Sequence, residues 1–312
     1  MTVLIITVLI GINMHYFLRS FLPDKTNINF LRYQWFGFIF SGLVTLASII
    51  GLFTAGLNFG IDFKGGILLE VRFHQDINLS QLRSNLNELA IGEVTIQTIG
   101  SEHDVLIRSA LSPNADAKDN VERIKQTLLK LDSGTEVRKS EYVGGEVGDS
   151  MIQDGITATA LTLLGIMIYV WVRFSWQYSI GIFLSLFHDV IATLGFLVLS
   201  QQEFNVTSVA AVLTVVGYSV NDTVVIYDRI RENLRKKRKM SLAEILNTSI
   251  NETATRSVLT LVTVLLAAAS LIFFGGEALH SFSITIFVGI MIGAYSSLFI
   301  SVPVLQFFRV KQ

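Results

Sequence analysis

Long apolar segments separated by polar turns occupy most of the chain, and each is long enough to cross a bilayer. A helix needs about 20 apolar residues to span the hydrocarbon core. The first clear segment covers residues 35–57, just after Arg32 and Tyr33. Five more follow, at residues 152–172, 178–200, 206–227, 256–274 and 282–304. The pattern predicts a first span at 35–57 and a five-span bundle over residues 151–312.

An additional apolar stretch at residues 3–22 precedes these spans and is interrupted by Asn13, His15 and Arg19. It lacks the basic start and the small-residue cleavage site of a signal peptide. We predict an extra N-terminal hydrophobic helix within residues 1–28, either spanning or interfacial.

Residues 58–150 have a different pattern, typical of a soluble domain. Apolar and polar residues alternate with the period of a strand, whereas two intervening segments have the spacing of a helix. The predicted strands cover residues 67–73, 93–99, 104–110 and 135–143, and the predicted helices cover 79–89 and 116–131. The order βαββαβ predicts a ferredoxin-like domain with both helices on one face of a four-stranded sheet.

Composition supports a polytopic α-helical membrane protein, since 51% of the residues are hydrophobic and only 16% are charged. The net charge of -1 hides a segregation, because the largest basic cluster lies at residues 229–239. Nucleic acid is therefore not expected as a partner. The chain has no cysteine, which excludes disulfides, thiolate metal sites and thiol catalysis.

Basic residues in the polar segments predict the orientation. Arg32, Arg173, the 229–239 cluster and the C-terminal Arg309 all fall on one side of six alternating spans. That side is the cytoplasm by the positive-inside rule. The 58–150 domain is then on the outer face, and the 229–239 cluster lies beside the headgroups of the membrane lipid.

An acidic residue, Asp222, lies inside the span at residues 206–227. A carboxylate in hydrocarbon costs at least about 2.5 kcal/mol, so it needs a neutralising partner or a function. Counting about 1.5 Å per residue predicts that Asp222 lies about 9 Å from the midplane on the cytoplasmic side, and that Arg256 of the next span lies at the same depth. We predict that the two are neighbours, forming either a fixed salt bridge that positions helices or a site that exchanges protons.

Asp189, in the preceding span, is predicted near the midplane, directly after His188. It is either a member of a proton relay or a carboxylate hydrogen-bonded to hydroxyl groups of neighbouring helices. Two alternatives also apply to the polar residues near Asp222: they line a path for water to it, or they form helix-to-helix hydrogen bonds. These residues are Asn221, Ser219, Thr223 and Thr214. Gly289 and Gly293 form a small-residue face that favours close helix packing.

Catalytic motifs are missing from the sequence. It contains no GxxxxGK[ST] phosphate loop, no HExxH pair and no serine elbow, so none of these motifs is available for ATP hydrolysis or peptide-bond cleavage. We expect a protein that is not an enzyme, with no cofactor and no metal.

Six motifs resemble the SecD/SecF family of export membrane proteins. They are NFLRYQWF (29–36), LNFGIDFKGG (57–66), EYVGGEVGDSMI (141–152), FHDV (187–190), VVGYSVNDTVVIYDRIREN (215–233) and NETATRSVLT (251–260). The resemblance runs from about residue 29 to the C-terminus. Gly145 departs from the family pattern, which has Pro there.

The resemblance implies a six-span half-unit of the resistance-nodulation-division superfamily in the bacterial cytoplasmic (inner) membrane. Its implied partners are a SecD-like subunit, the SecYEG channel and YajC, and its implied substrate is an unfolded preprotein drawn outward by the proton motive force. Asp222 and Arg256 match the family's intramembrane charged pair, whereas Asp62 of the GIDF motif is expected to shape a junction. The alternatives are a proton-coupled small-molecule transporter of the same superfamily and a non-transporting assembly or chaperone factor.

Overall fold

The computed structural model describes residues 26–75, 77–89, 91–92, 94–99, 101–109 and 117–308. Six of its helices are long and apolar enough to cross a membrane. The protein is therefore a multi-pass helical membrane protein, as predicted. The predicted N-terminal helix at residues 3–22 lies outside the described residues.

The described residues form short strands and mostly longer helices. The strands are β1 (Asn58–Phe59), β2 (Gly66–Arg72), β3 (Val94–Ile99), β4 (Ser101–Ser109), β5 (Glu136–Val143) and β6 (Glu203–Phe204). The helices are α1 (Gln34–Thr54), α2 (Ile61–Lys64), α3 (Leu79–Asn87), α4 (Ala117–Leu131), α5 (Gly145–Arg173), α6 (Trp176–Ser200), α7 (Val206–Lys236), α8 (Leu242–Phe274), α9 (Glu277–Ser296) and α10 (Val302–Val304). A π-helical segment, Ser297–Ser301, joins α9 to α10.

The chain divides into two compact units. The sheet unit comprises Asn58–Ala160 and Glu203–Val209, and the helix unit comprises the segment ending at Leu57, Leu161–Gln202 and the segment beginning at Ala210. The sheet unit thus extends along α5 to Ala160 and includes the first residues of α7, both beyond the predicted 58–150 domain.

In the sheet unit, four antiparallel strands lie in the order β3-β4-β2-β5. The chain order β2-α3-β3-β4-α4-β5 is the predicted βαββαβ sequence. Alternate residues of β2, Leu69 and Val71, are fully buried against Leu82 and Leu86 of α3 and Ile124 of α4. The period-two and helical patterns of the sequence therefore meet in one apolar core.

In the helix unit, glycines allow close approach of the long helices. A Cβ built on Gly195 of α6 would lie 2.0 Å from the Ser48 Oγ of α1. A Cβ on Gly289 of α9 would lie 2.4 Å from Val215 Cγ2 of α7, and one on Gly293 would lie 3.1 Å from Ser219 Cβ. The small-residue face predicted in the last span thus packs directly on α7.

Residues 228–255, which separate the predicted spans at 206–227 and 256–274, are mostly helical and do not form a long loop. Helix α7 continues to Lys236, and α8 already begins at Leu242 behind a capping box formed by Ser241 and Glu244. Hydropathy shows where a helix leaves the hydrocarbon, whereas the helix itself ends only where its backbone hydrogen bonds end.

Candidate functional site

Helix α7 carries the polar residues that the sequence singled out, on two different faces. Successive residues of a helix are rotated by about 100°, so residues four apart share a face whereas adjacent ones do not. Ser219 and Thr223 lie on the face towards α6 and the end of α9, and Asp222 lies on the face towards α8.

Asp222 is only 8% exposed, and its Oδ1 accepts a hydrogen bond from the Ser257 hydroxyl of α8 at 2.5 Å. Within the described part of the chain, Ser257 is the one hydrogen-bond donor to this carboxylate. Ser257 was not predicted from the sequence, although it follows Arg256 directly and therefore lies at the predicted depth. The carboxylate is thus buried with a single neutral partner.

Arg256 attracts Asp222 electrostatically, but no ion pair within 4.0 Å joins these two described residues. Arg256 itself is exposed. The predicted neighbourhood of the two charges is therefore looser than a salt bridge. Counting residues predicts that two side chains on adjacent helices lie at the same depth in the membrane, but it does not predict how each helix is rotated about its axis.

Asp189 of α6 is completely buried and well bonded. Its Oδ2 accepts hydrogen bonds from Ser219 of α7 at 2.6 Å and from Ser296 of α9 at 2.8 Å. Its Oδ1 lies 3.1 Å from His188 Nδ1. The Ser296 hydroxyl also contacts the hydroxyl of Ser185 at 2.9 Å. This carboxylate joins three helices, as in the packing alternative that the sequence left open.

The four side chains predicted to line a path to Asp222 have other environments. Ser219 bonds Asp189, and the Thr223 hydroxyl lies 2.9 Å from the hydroxyl of Ser297. Thr214 donates to the carbonyl of Ala210 in its own helix. Asn221 is exposed, as is Thr214. The contacts of Ser219 and Thr223 are helix-to-helix hydrogen bonds, the second of the two alternatives. A role of the four residues in lining a path to Asp222 stays a prediction.

A π-helical segment, Ser297–Ser301, lies beside this network. The carbonyl of its last residue, Ser301, accepts a hydrogen bond from the Tyr227 hydroxyl at 3.0 Å, and the Ser301 hydroxyl donates to the Tyr227 oxygen at 2.7 Å. Irregular helical turns of this kind are frequent at functional sites. Apolar composition hid this irregularity from sequence reasoning.

A charged network joins the polar ends of α7 and α8. Glu252 accepts hydrogen bonds from Arg229 at 2.6 Å, Asn233 at 2.7 Å and Lys237 at 2.9 Å. Part of the 229–239 cluster is thus neutralised internally. Among the described residues, no group of three or more His, Cys, Asp or Glu side chains is placed to hold a metal ion.

Comparison with known proteins gives the family. The sequence profile described as "Protein export membrane protein SecD/SecF, C-terminal" matches residues 123–311, and that of the SecD/SecF GG motif matches residues 50–77. The chain belongs to the SecD/SecF family. The first profile covers Asp189, Asp222 and Arg256, and the second covers Asp62.

Among relatives, the protein translocase subunit SecF of Rickettsia bellii is 48% identical over 292 residues, which are 93% of this chain and 96% of that protein. The SecF subunit of Rickettsia prowazekii is 47% identical over 289 residues, covering 92% of this chain and 93% of that protein.

Two solved structures are also similar. The crystal structure of SecDF from Thermus thermophilus, described as a translocon-associated membrane protein, is 31% identical with a TM-score of 0.83 over 93% of this chain. SecDF in its super-membrane-facing form is 30% identical with a TM-score of 0.66 over 91% of this chain. The chain spans only 40% and 39% of those two proteins.

Proposed function

We propose that this chain is a SecF-type subunit of the accessory complex of the Sec preprotein translocase, and that it uses the proton motive force to assist late export. The high identity to proteins named as SecF subunits over almost their full length supports the assignment. We place the chain in the bacterial cytoplasmic membrane, with the sheet unit, a ferredoxin-like domain by its strand order, on the outer face. It acts as a transport subunit and not as an enzyme.

The observation that carries proton use is the environment of Asp222. A buried carboxylate that is bonded by several donors or paired with a cation is held in its charged form, whereas one with few partners changes its protonation state more readily. Asp222 has the hydroxyl of Ser257 at 2.5 Å, and its attraction to Arg256 acts without a direct ion pair. It is therefore suited to bind and release a proton.

The exposed polar face of α7 and α8 supports a membrane partner. Arg256, Asn221 and Thr214 are exposed, although they lie within spans. A cation facing lipid is costly, so another protein should cover this face. We propose a SecD-like subunit as that protein, because the similar SecDF chains are more than twice as long as the part this chain matches. The SecYEG channel, YajC and an unfolded preprotein are the further partners that we propose.

The proposed cycle begins with protonation of Asp222. Neutralising the carboxylate removes its attraction to Arg256, which changes the balance of contacts between α7 and α8. A shift of α7 then moves the sheet unit while it holds an emerging chain. Deprotonation towards the cytoplasm resets the pair, so that the gradient drives the movement in one direction.

Replacing Asp222 tests the proposal. In inverted membrane vesicles that contain this chain and its partners, we expect Asp222→Asn to reduce preprotein export to the level measured without a proton gradient. Asp228→Asn is the matched control, because Asp228 lies on the same helix but is exposed in a pair with Arg173. Gradient-dependent export by an assembled Asp222→Asn protein would contradict the proposal.

Replacing Arg256 gives the parallel test, with proton flux as a second measurement. Arg256→Met should uncouple proton movement from export without preventing association with the partner. If the wild-type complex moves no protons in liposomes under any condition, a passive assembly or chaperone factor explains the chain better. Flux that responds to a small molecule and not to a preprotein would instead favour a small-molecule transporter.

A further inference from the structure

In the sheet unit, the GIDF motif meets the segment that leads into α7. Strand β1 pairs in parallel with β6, with Asn58 opposite Glu203 and Phe59 opposite Phe204. The backbone N–H of Gly60 extends the pairing by donating to the Phe204 carbonyl at 2.9 Å. Two strands of two residues each are too short to hold together by backbone hydrogen bonds alone. Side chains must therefore stabilise this junction.

Asp62 supplies one such contact by capping α7. Its Oδ2 accepts a hydrogen bond at 3.0 Å from the backbone N–H of Val206, the first residue of that helix. The first N–H groups of a helix have no partner within the helix, and the positive end of the helix dipole favours a carboxylate. In the same turn, the side-chain oxygen of Asn205 accepts a hydrogen bond from the backbone N–H of Ser208. Asp62 and Asn205 thus each bind one of the first backbone N–H groups of α7.

Aromatic and ionic contacts hold the same two segments together. The rings of Phe63 and Phe204 stack with centroids 5.6 Å apart, and Phe63 is only 5% exposed. The guanidinium of Arg108 on β4 forms an ion pair with Glu203. A Cβ on Gly60 would lie 2.7 Å from the Glu203 carboxylate, so this side chain packs closely against the Gly60 backbone.

Helix α5 contacts the motif from another side. A Cβ built on Gly148 would lie only 2.7 Å from the carbonyl oxygen of Phe63. The GIDF motif, near the beginning of the sheet unit, thus contacts the first turns of two membrane helices. One of them, α7, continues without a break from Val206 past Asp222.

We infer that Asp62 is a positioning residue that fastens the first turn of α7 to the sheet unit, so that a displacement of α7 is transmitted to this unit. The inference rests on the proposed function, because it concerns how proton binding at Asp222 is used. Asp62 itself has no part in proton transfer. Its carboxylate oxygen acts as a hydrogen-bond acceptor for the α7 backbone, and an amide oxygen can do the same.

The test compares Asp62→Ala, Asp62→Asn and Lys64→Ala in the full complex, with proton flux and gradient-dependent export measured separately. Asp62→Ala removes the acceptor, Asp62→Asn keeps an acceptor without the charge, and Lys64→Ala changes an exposed neighbour in the same short helix. We expect Asp62→Ala to lower export about fivefold, the factor expected from loss of a helix cap, while proton flux continues. The other two variants should export like the wild type.

Hydrogen exchange measures the cap directly in the full chain. The backbone amide of Val206 should exchange about fivefold faster in Asp62→Ala and at the wild-type rate in Asp62→Asn. This result does not depend on export, so it tests the contact even if the proposed function fails.

Two results would overturn the inference. One is normal gradient-dependent export by Asp62→Ala, provided that Asp222→Asn still reduces export to the level without a gradient, because the proposed function would then stand without a role for Asp62. The other is an equal loss of proton flux in Asp62→Ala and Asp62→Asn, which would place the charge of Asp62 in the proton path. Normal gradient-dependent export by Asp222→Asn would refute the proposed function itself.

Discussion

The two carboxylates inside the membrane spans differ in how completely they are bonded. Asp189 is fully buried, with Ser219 and Ser296 on one oxygen and His188 beside the other. Asp222 retains 8% exposure and accepts one hydrogen bond, from Ser257. A buried polar group with all its bonds made stabilises one packing arrangement, whereas a sparsely bonded one can change state. The difference in bonding supports the proposal that Asp222 is the residue that exchanges protons, whereas the contacts of Asp189 join helices.

The largest expected effect is on stability, at Asp189. Asp189→Ala would leave the hydroxyls of Ser219 and Ser296 without their acceptor, and the unfolding free energy should fall by about 3 kcal/mol, since each buried unsatisfied group costs about 1–3 kcal/mol. Unfolding by SDS in mixed micelles, followed by tryptophan fluorescence, would measure the loss, because all three tryptophans lie in the helix unit.

The control for this prediction is Asp222→Ala measured in the same way. We expect that variant to lose about 1 kcal/mol or less, because it removes one hydrogen bond and a costly buried charge together. Equal losses for the two variants would abolish the distinction between a packing carboxylate and a switching one.

A second prediction concerns the glycine contact on the Asp189 side of α7. Gly289→Ala would place a methyl group 2.4 Å from Val215 Cγ2, so α9 must move away from α7. Overpacking of this kind costs about 1–3 kcal/mol, and we expect about 2 kcal/mol in the same unfolding assay. Gly217→Ala is the matched control, since nothing lies within 4 Å of its added carbon. A similar loss in both variants would mean that the close contact with Val215 adds no specific cost at Gly289, because alanine favours the helix over glycine at either position.

The sequence sufficed for the spans and for the βαββαβ order, because both depend on periodicities that persist over many residues. It also predicts that Asp222 and Arg256 lie at one depth. It did not predict which hydroxyl faces which carboxylate, because a change of one residue rotates a side chain by about 100°. Ser257, not Arg256, therefore contacts Asp222. One signal was available: Ser219 and Thr223 are four residues apart and so share a face, whereas Asp222 and Thr223 are adjacent and do not.

A third prediction tests the sparse bonding of Asp222. Ser257→Ala removes its hydrogen-bond donor, and the unfolding free energy should fall by about 1 kcal/mol, the usual net value of one hydrogen bond. Ser257→Thr keeps a hydroxyl and should restore the wild-type value. A loss near that of Asp189→Ala would show that Ser257 supports a larger network than the single bond described.

The smallest expected effect concerns Asp104, a carboxylate of the sheet unit outside the membrane spans, which serves as a reference for full pairing. Asp104 of β4 accepts two hydrogen bonds from Arg72 and one from Ser101, and Arg138 lies 3.5 Å away. The Arg72 guanidinium lowers the pKa of Asp104 from 3.8 to about 2. Because the pKa is lower in the folded state, the pair stabilises the sheet unit above about pH 4, and this contribution is lost as the pH falls towards 2.

Hydrogen exchange of the strand segments containing Arg72 and Asp104 would measure that loss in the full chain. Exchange rates corrected for intrinsic chemistry should rise between pH 4 and pH 2 in the wild type. In Asp104→Asn this additional rise should be absent, because the variant has no proton to gain at that position. Since Arg72 is 43% exposed, solvent screening keeps the effect small. The same rise in both proteins would assign the pH dependence to other carboxylates, and full pairing at Asp104 would no longer serve as a standard for Asp189 and Asp222.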